Sequence, residues 1–221
     1  MHRTVRTPQE PVSKNRVARL MRVAGIRSKH RRKFRVTTNS NHRRPVAPNL
    51  LSREFSASEP NRIWVGDITF IWTQEGWLYL AVLIDLYSRF VVGWSMSKRV
   101  TDDLTLAALK MALVRRRPPA GLIHHSDQGS QYTSDAYRRL LKVNHITASM
   151  SRRGDCWDNA VAESFYATLE KELLLGWDVR DRDDARHKVF DFIEVFYNRE
   201  RIHSTLGFVS PFNYEAAVLP T

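Results

Sequence analysis

The stretch IWVGDITFIWT, residues 63 to 73, is apolar at almost every position and rich in β-branched and aromatic side chains, the pattern of a strand covered on both faces. Gly76 separates it from WLYLAVLIDLYSRFVVGWSMS, which predicts two more strands turning near Tyr87 to Arg89. Three consecutive antiparallel strands are the economical arrangement. In TDDLTLAALKMALVRRR the period changes. Leu104, Ala107, Ala108 and Met111 recur at helical spacing, acids open the segment, and Arg115 to Arg117 close it ahead of Pro118. GLIHHSD then predicts a short strand, TSDAYRRLLKV a helix and HITASMS a strand. After the polar loop RRGDCWDN, helices are expected from about Asp158 to Leu175 and from about Asp183 to Asn198, followed by NRERIHSTLGFVSPFNYE, for which no element is predicted.

Ahead of this body the pattern is weaker. Ser13 is placed to cap a short helix over residues 12 to 25, Val17, Leu20, Met21 and Ala24 form its apolar stripe, and Gly25 stops it. Its other face carries Lys14, Arg16, Arg19 and Arg22. Only a dozen residues precede it, Pro8 and Pro11 among them, so a complete helix-turn-helix is not encoded. From Ser28 to Glu59 the periodicity fades into KHRRKFR, which includes Arg31, Arg32 and Lys33, then a polar run and scattered prolines, the composition of an extended linker. Two parts are expected: residues 1–59, a basic N-terminal helical arm with a helix-turn-helix remnant and linker, and residues 60–221, the body. Three strands, a helix, a strand, a helix, a strand and further helices make an α/β order. It is the order of a ribonuclease-H-like fold, a mixed five-stranded sheet flanked by helices, and it does not by itself license a function.

Charge sharpens the division. The 221 residues hold 35 Lys and Arg against 23 Asp and Glu, a net +12, and residues 1 to 60 account for all of it, with 15 basic and 3 acidic side chains against 20 of each in the remainder. A basic arm on a neutral body suits a nucleic acid, because arm charge gives sequence-independent attraction to phosphates; the plainer alternative is a solvated tail. The longest apolar run, Trp77 to Trp94, is broken by Asp85 and Arg89, so no membrane span is expected, and the N-terminus lacks the apolar stretch of a signal peptide. The single cysteine, Cys156, has no intramolecular partner, and no Cys/His spacing resembles a zinc site. The expected location is the cytoplasm.

Four acidic residues bear on chemistry. Asp67 interrupts an apolar strand, where an ionised carboxylate costs several kcal/mol unless a cation or metal compensates it; a buried Asp bonded to backbone is the structural alternative. Asp85 raises the same question beside a turn, where bonding to the turn backbone is the simpler account. Asp127 follows a strand and precedes the small-residue loop QGSQYTS, a suitable place for a metal or phosphate ligand, although Asp-Gln-Gly is also ordinary turn chemistry. On the helix beginning near Asp158, Val161, Phe165, Leu169 and Leu173 form the apolar stripe, and Glu163 falls about 200° around from Val161, with Ala160 and Ala167 on its own face. Alone it reads as a solvated helical Glu. Together Asp67, Asp127 and Glu163, with 35 residues between the last two, form a set of oxygen donors suited to two Mg²⁺ or Mn²⁺ ions roughly 4 Å apart, which stabilise the attacking and leaving oxygens of a phosphodiester.

The blocks WVGDITFI, EGWLYLAVLIDLYSRFVVGW, GLIHHSDQGSQYTS, SMSRRGDCWDNAVAESF and FYNRERIHSTLGFVSP resemble the second-reading-frame product of insertion sequence 3 family transposases, within the retroviral-integrase-like superfamily. The resemblance runs from about Asn61 to Glu215. It implies a catalytic and metal-binding triad of Asp67, Asp127 and Glu163, no covalent protein intermediate and no nucleotide cofactor. Strand cleavage at an element end would release a 3′-hydroxyl, which would attack a second phosphodiester in line, typically at the other end of the same element, leading to a circular intermediate. It further implies DNA contacts from the GSQYTS loop and from Trp157 and Asn159, with Arg152 and Arg153 as phosphate contacts. The implied partners are DNA, the first-reading-frame protein of the same element, and further copies of this chain assembled on DNA.

The sequence departs from the family at two points. Its recognisable part begins at VSKNRVARLMR, short of the complete helix-turn-helix that family members carry. Many relatives also place a basic residue seven positions beyond the catalytic Glu, where this chain has Glu170 with Lys171 beside it, rotated by about 100°. Two rival readings share parts of the pattern. One is a nuclease of the same fold that hydrolyses DNA without joining it, and the other is a truncated, non-catalytic DNA-binding regulator of transposition.

Overall fold

The computed structural model of the chain describes residues 12–26, 44–52, 54–152, 160–174 and 179–217. It divides into two compact units, residues 1–32 and 33–221. In the first, helix α1 (Lys14–Val23) starts where Ser13 Oγ accepts the Arg16 amide, and Gly25 follows it at φ +67°. The basic face is as expected, with Lys14, Arg16, Arg19 and Arg22 all exposed. The apolar stripe differs from expectation. Only Val17 is buried, while Leu20 and Val23 lie open.

The second unit is built on a five-stranded sheet ordered β3-β2-β1-β4-β5. Strands β1 (Ile63–Thr73), β2 (Gly76–Asp85) and β3 (Val91–Ser97) form the expected antiparallel meander, and β4 (Ile123–Ser126) and β5 (Thr147–Met150) add in parallel beside β1. Helix α2 (Asp102–Arg116) joins β3 to β4, and α3 (Asp135–Val143), capped by Ser134, joins β4 to β5. Helix α4 (Ala160–Leu169) runs on into π-type turns over Glu170–Leu174, and α5 (Arg182–Phe190) does the same over Asp191–Glu200. A 3₁₀ turn, Ser204–Leu206, and the short helix α6 (Pro211–Ala216) lie in the tail where the sequence pattern predicts no element.

Alternation along β1 explains why helices cover both faces. Val65 and Ile71 join Leu80, Val82 and Ile84 in a core closed by Phe165 and Leu169 of α4 and by Val189, Phe192, Ile193 and Tyr197 of α5 and its extension. Trp64 and Ile68 face the other way and pack with Ala81, Leu83, and Leu104, Ala108, Leu109, Tyr137 and Leu141 of α2 and α3. The second contact is close. A Cβ on Gly93 of β3 would lie 2.4 Å from the Ala108 carbonyl oxygen, so α2 approaches β3 at a distance only glycine allows.

Two polar devices tie distant segments to the sheet. Asp85 is buried, and its two carboxylate oxygens accept the amides of Tyr87 (2.9 Å) and Asn61 (2.7 Å), the turn-stabilising role expected of it. Beside it Arg116, 3.6 Å from Asp85, donates two hydrogen bonds to Glu215 of α6 (2.6 and 2.8 Å), and Ser88 donates a third (2.5 Å). On the far side of β3, Asn198 accepts from the Val91 amide (2.9 Å) and donates to its carbonyl (3.2 Å), satisfying the start of that edge strand as a neighbouring strand would.

Part of the expected linker belongs to this unit as well. Leu51 is buried in the sheet core, Phe55 and Ala57 pack against it, the Pro48 carbonyl accepts the Met150 amide, and the Leu50 amide donates to Ser149. Arg44 likewise donates to the Ser130 carbonyl (2.6 Å), so residues 44 to 57 already contact the unit that carries the sheet.

Candidate active site

Parallel pairing of β1 with β4 ends at Gly66 opposite Ser126. The next residues along the two chains are Asp67 and Asp127, so the register brings these acids onto adjoining chains at the point where β4 stops and β1 continues paired only with β2. Asp67 falls in the same alternation as Val65 and Ile71, which is the face that α4 covers. Glu163, in the first turn of α4, lies by helical spacing on a different side of the helix from Phe165 and Leu169, and its charge nevertheless acts on Asp67.

Electrostatics registers the convergence. The Asp67 carboxyl is held well above the ordinary carboxylate range, first by burial and then by the charges of Asp127 and of Glu163, against a lowering contribution from the Ile68 amide, which donates to Asp67 Oδ1 at 2.8 Å. Asp127 Oδ1 accepts the Gly129 amide at 3.0 Å, which fixes the loop after β4. The three acids therefore share one electrostatic neighbourhood. Among the described residues, however, no group of three or more His, Cys, Asp or Glu side chains is gathered at distances that would ligate an ion. Crowded carboxylates with raised proton affinity do fit a divalent cation chemically, since a cation removes the repulsion that raises it.

The remaining candidates from sequence divide three ways. Lys14, Arg16, Arg19 and Arg22 lie exposed on α1, in the other unit. Arg152 is exposed just after β5. Arg31, Arg32, Lys33, Arg153, Trp157 and Asn159 lie outside the described residues.

Several further residues lie around the acids. Gly66 and His124 occupy neighbouring positions of β1 and β4, and Tyr137 donates to or accepts from His124 Nε2 at 3.1 Å. Burial, and after it the charge of His125, holds the His124 imidazole down to about 3, so it is neutral at physiological pH. Tyr132 and Tyr166 are phenols whose proton affinity is raised by burial and further by the charges of Asp67 and Asp127, which places both beside the acidic pair. Tyr166 has a visible signal in sequence, three residues after Glu163 on one helix. Tyr132 has one too, as part of the GSQYTS loop after Asp127, whereas His124 has none, because its proximity arises from the β1–β4 pairing.

Comparison with known proteins places this geometry. Residues 57–156 and residues 144–211 each match a family described as Integrase core domain. The insertion element IS600 uncharacterized 31 kDa protein of Shigella sonnei is 51% identical over 200 residues, covering 90% of this chain and 74% of that protein. Transposase InsF for insertion sequence IS3A of Escherichia coli K12 is 47% identical over 205 residues, covering 93% and 71%. Among solved structures, the HTLV-2 integrase catalytic core domain in complex with magnesium (trimeric form) superposes with a TM-score of 0.55 at 20% identity, over 72% of this chain and 99% of that one. The simian T-cell lymphotropic virus intasome gives a TM-score of 0.62 at 17% identity, over 83% of this chain and 63% of the viral chain. The likeness to these viral proteins is one of fold, the ribonuclease-H-like sheet flanked by helices.

Proposed function

The chain belongs to the insertion sequence 3 (IS3) family of transposases and carries an integrase core domain, and from that premise we propose that it cleaves the ends of its element and joins them to DNA by direct phosphoryl transfer at Asp67, Asp127 and Glu163. The observation that carries the reading is the raised proton affinity of Asp67, caused after burial by Asp127 and Glu163. Three acids that repel one another at the end of a strand pair are unfavourable for folding and useful for binding cations.

Asp67, Asp127 and Glu163 would hold Mg²⁺ or Mn²⁺, two ions by the chemistry of the reaction, and the magnesium in the viral core structure supports a divalent metal. When bound, such ions supply positive charge to the attacking and leaving oxygens of the phosphodiester. The chain's own contribution is positional. The β1–β4 register, which ends one residue before Asp67 and Asp127, the carriage of Glu163 on α4 and the Gly129 amide donated to the Asp127 carboxylate support this reading. Neither His124, held neutral and buried, nor Cys156 is required as base or nucleophile.

DNA is the proposed substrate at both the element end and the target. The exposed cations of α1, with Arg31, Arg32 and Lys33, give salt-sensitive attraction to the backbone, and Arg152, Arg153, Trp157 and Asn159 are the further proposed DNA contacts. The proposed partners are the first-reading-frame protein and further copies of this chain. Among the described residues no helix is long and apolar enough to cross a membrane, and the proposed setting is the bacterial cytoplasm, on nucleoid DNA.

The test is an assay of purified protein with Mg²⁺ and a labelled element end. Joined 3′-ends that vanish in Asp67→Asn and in Glu163→Gln, with DNA binding retained, are expected. Nicks that accumulate without joined product mean a hydrolytic nuclease. Transposition in cells unaffected by Asp67→Asn means a DNA-binding regulator.

A further inference from the structure

Tyr166 follows Glu163 by three residues on α4, just under one turn along the helix and about 60° from it in projection. Its ring sits against Phe165, edge to face at 5.4 Å, beside the core where phenylalanine would serve equally well. The hydroxyl is therefore the informative atom. It is shielded from solvent and, among the described residues, has no hydrogen-bond partner. A buried hydroxyl left this way costs about 1–3 kcal/mol, and such groups in a folded protein call for an explanation.

The surroundings supply one. The Asp67 charge, and after it that of Asp127, acts on this phenol, so the buried hydroxyl lies in the electrostatic neighbourhood of the acids while hydrogen-bonded to neither. The phenol stays neutral and remains a donor. A carboxylate offers about four lone-pair sites, and ligation of an ion uses only part of them. Once a cation draws the acids together, a carboxylate oxygen needs a donor on its far side, which is the usual means by which a ligand is oriented.

We propose that Tyr166 is a positioning residue of the active site, whose hydroxyl donates a hydrogen bond to the Asp67 carboxylate when a divalent ion is bound there. This rests on the three-carboxylate reading given above and adds to it a donor that no family resemblance supplies. The hydroxyl has no protein partner among the described residues, and a bond to Asp67 formed as the ion binds would supply one, so it would favour the loaded site.

The experiment is a titration of the metal-free full chain with MnCl₂, followed by the electron paramagnetic resonance of free Mn²⁺, on wild type, Tyr166→Phe and Asp67→Asn. Tyr166→Phe removes one atom and is expected to weaken Mn²⁺ binding about tenfold, while the melting temperature of the metal-free chain stays level or rises. Equal Mn²⁺ affinity in wild type and Tyr166→Phe, with Asp67→Asn impaired, overturns the role of Tyr166 alone. Weakened binding together with a lowered metal-free melting temperature marks a packing role and also overturns it. Wild type that takes up no Mn²⁺, or Asp67→Asn that binds as wild type does, overturns the three-carboxylate reading itself.

Discussion

Gly66 lies against the imidazole of His124 so closely that a methyl group on its Cα would stand 2.9 Å from Nε2. The ring has little room to retreat, because Tyr132 and Tyr137 wall it at centroid distances of 5.9 and 5.5 Å and Tyr137 is hydrogen-bonded to the same nitrogen. Gly66→Ala is expected to cost about 1–3 kcal/mol through overpacking. Strand transfer should fall by more than stability explains, since Gly66 and its partner Ser126 immediately precede Asp67 and Asp127. Denaturant midpoints of Gly66→Ala, His124→Ala and the double variant check this, the double variant being more stable than the sum of the two losses.

Asn198 substitutes for a strand at the start of β3, with both of its amide groups engaged by Val91. Asn198→Ala leaves a buried amide and carbonyl without partners and is expected to cost about 1–3 kcal/mol. Asn198→Asp sets a carboxylate against the Val91 carbonyl. Protonation restores a donor, so the unfolding midpoint of that variant should recover on acidification while that of Asn198→Ala does not.

Asp85 gives a pH signature. Burial is the chief cause that raises its carboxyl to about 6, aided by Glu215 and opposed by the Asn61 and Tyr87 amides and Arg116. A folded-state value above the ordinary 3.8 means that the fold holds this proton more tightly than the unfolded chain does. The resulting stability is full below about pH 4 and is lost as pH rises towards 6. Asp85→Asn should flatten that part of the stability profile. At pH 7 it should also lower stability by about 1–3 kcal/mol, because one carboxamide oxygen cannot accept both amides.

These sites show which parts of the molecule can be read along the chain. The five strands and the helices between them are legible because each carries its own period or its own punctuation, such as Gly76 at the first hairpin or Arg115 to Arg117 before Pro118. Asp67 and Asp127 stand out as acids in or beside apolar strands. Glu215 does not, since its partners Arg116 and Ser88 lie 99 and 127 residues away. Helix α6 has its Ser210-Pro211 start signal, but six residues leave no room for a period. Leu51 and Phe55 are lone apolar residues in a polar stretch, and only the folded body shows what they pack against.

Removing one of the crowded acids should stabilise the metal-free protein. Asp67→Asn keeps an oxygen to accept the Ile68 amide and abolishes a buried charge repelled by two others. A higher melting temperature in chelator is expected, about 2–4 °C for each kcal/mol regained, with strand transfer abolished. A melting temperature at or below wild type contradicts the picture of mutual repulsion.

The four exposed cations of α1 should act on affinity without selecting sequence. Replacing Lys14, Arg16, Arg19 and Arg22 by Gln is expected to weaken binding to unrelated duplexes and to reduce the salt slope by about 0.9 for each phosphate no longer neutralised. Fluorescence anisotropy across a salt series measures both. A slope equal to that of wild type places the backbone contacts elsewhere.

The cluster of Ser88, Arg116 and Glu215 has a consequence for synthesis. Ribosomes deliver the meander and α2 long before α6, so for about a hundred residues of elongation the Ser88 hydroxyl and both Arg116 donors to Glu215 wait for their acceptor. A nascent chain halted late in that interval contains Arg116 and Asp85 but not the Glu215 carboxylate that accepts both Arg116 hydrogen bonds. Closure of the body thus waits for α6, and a chain that stops short of it lacks the carboxylate that ties the turn between β2 and β3 to the end of α2.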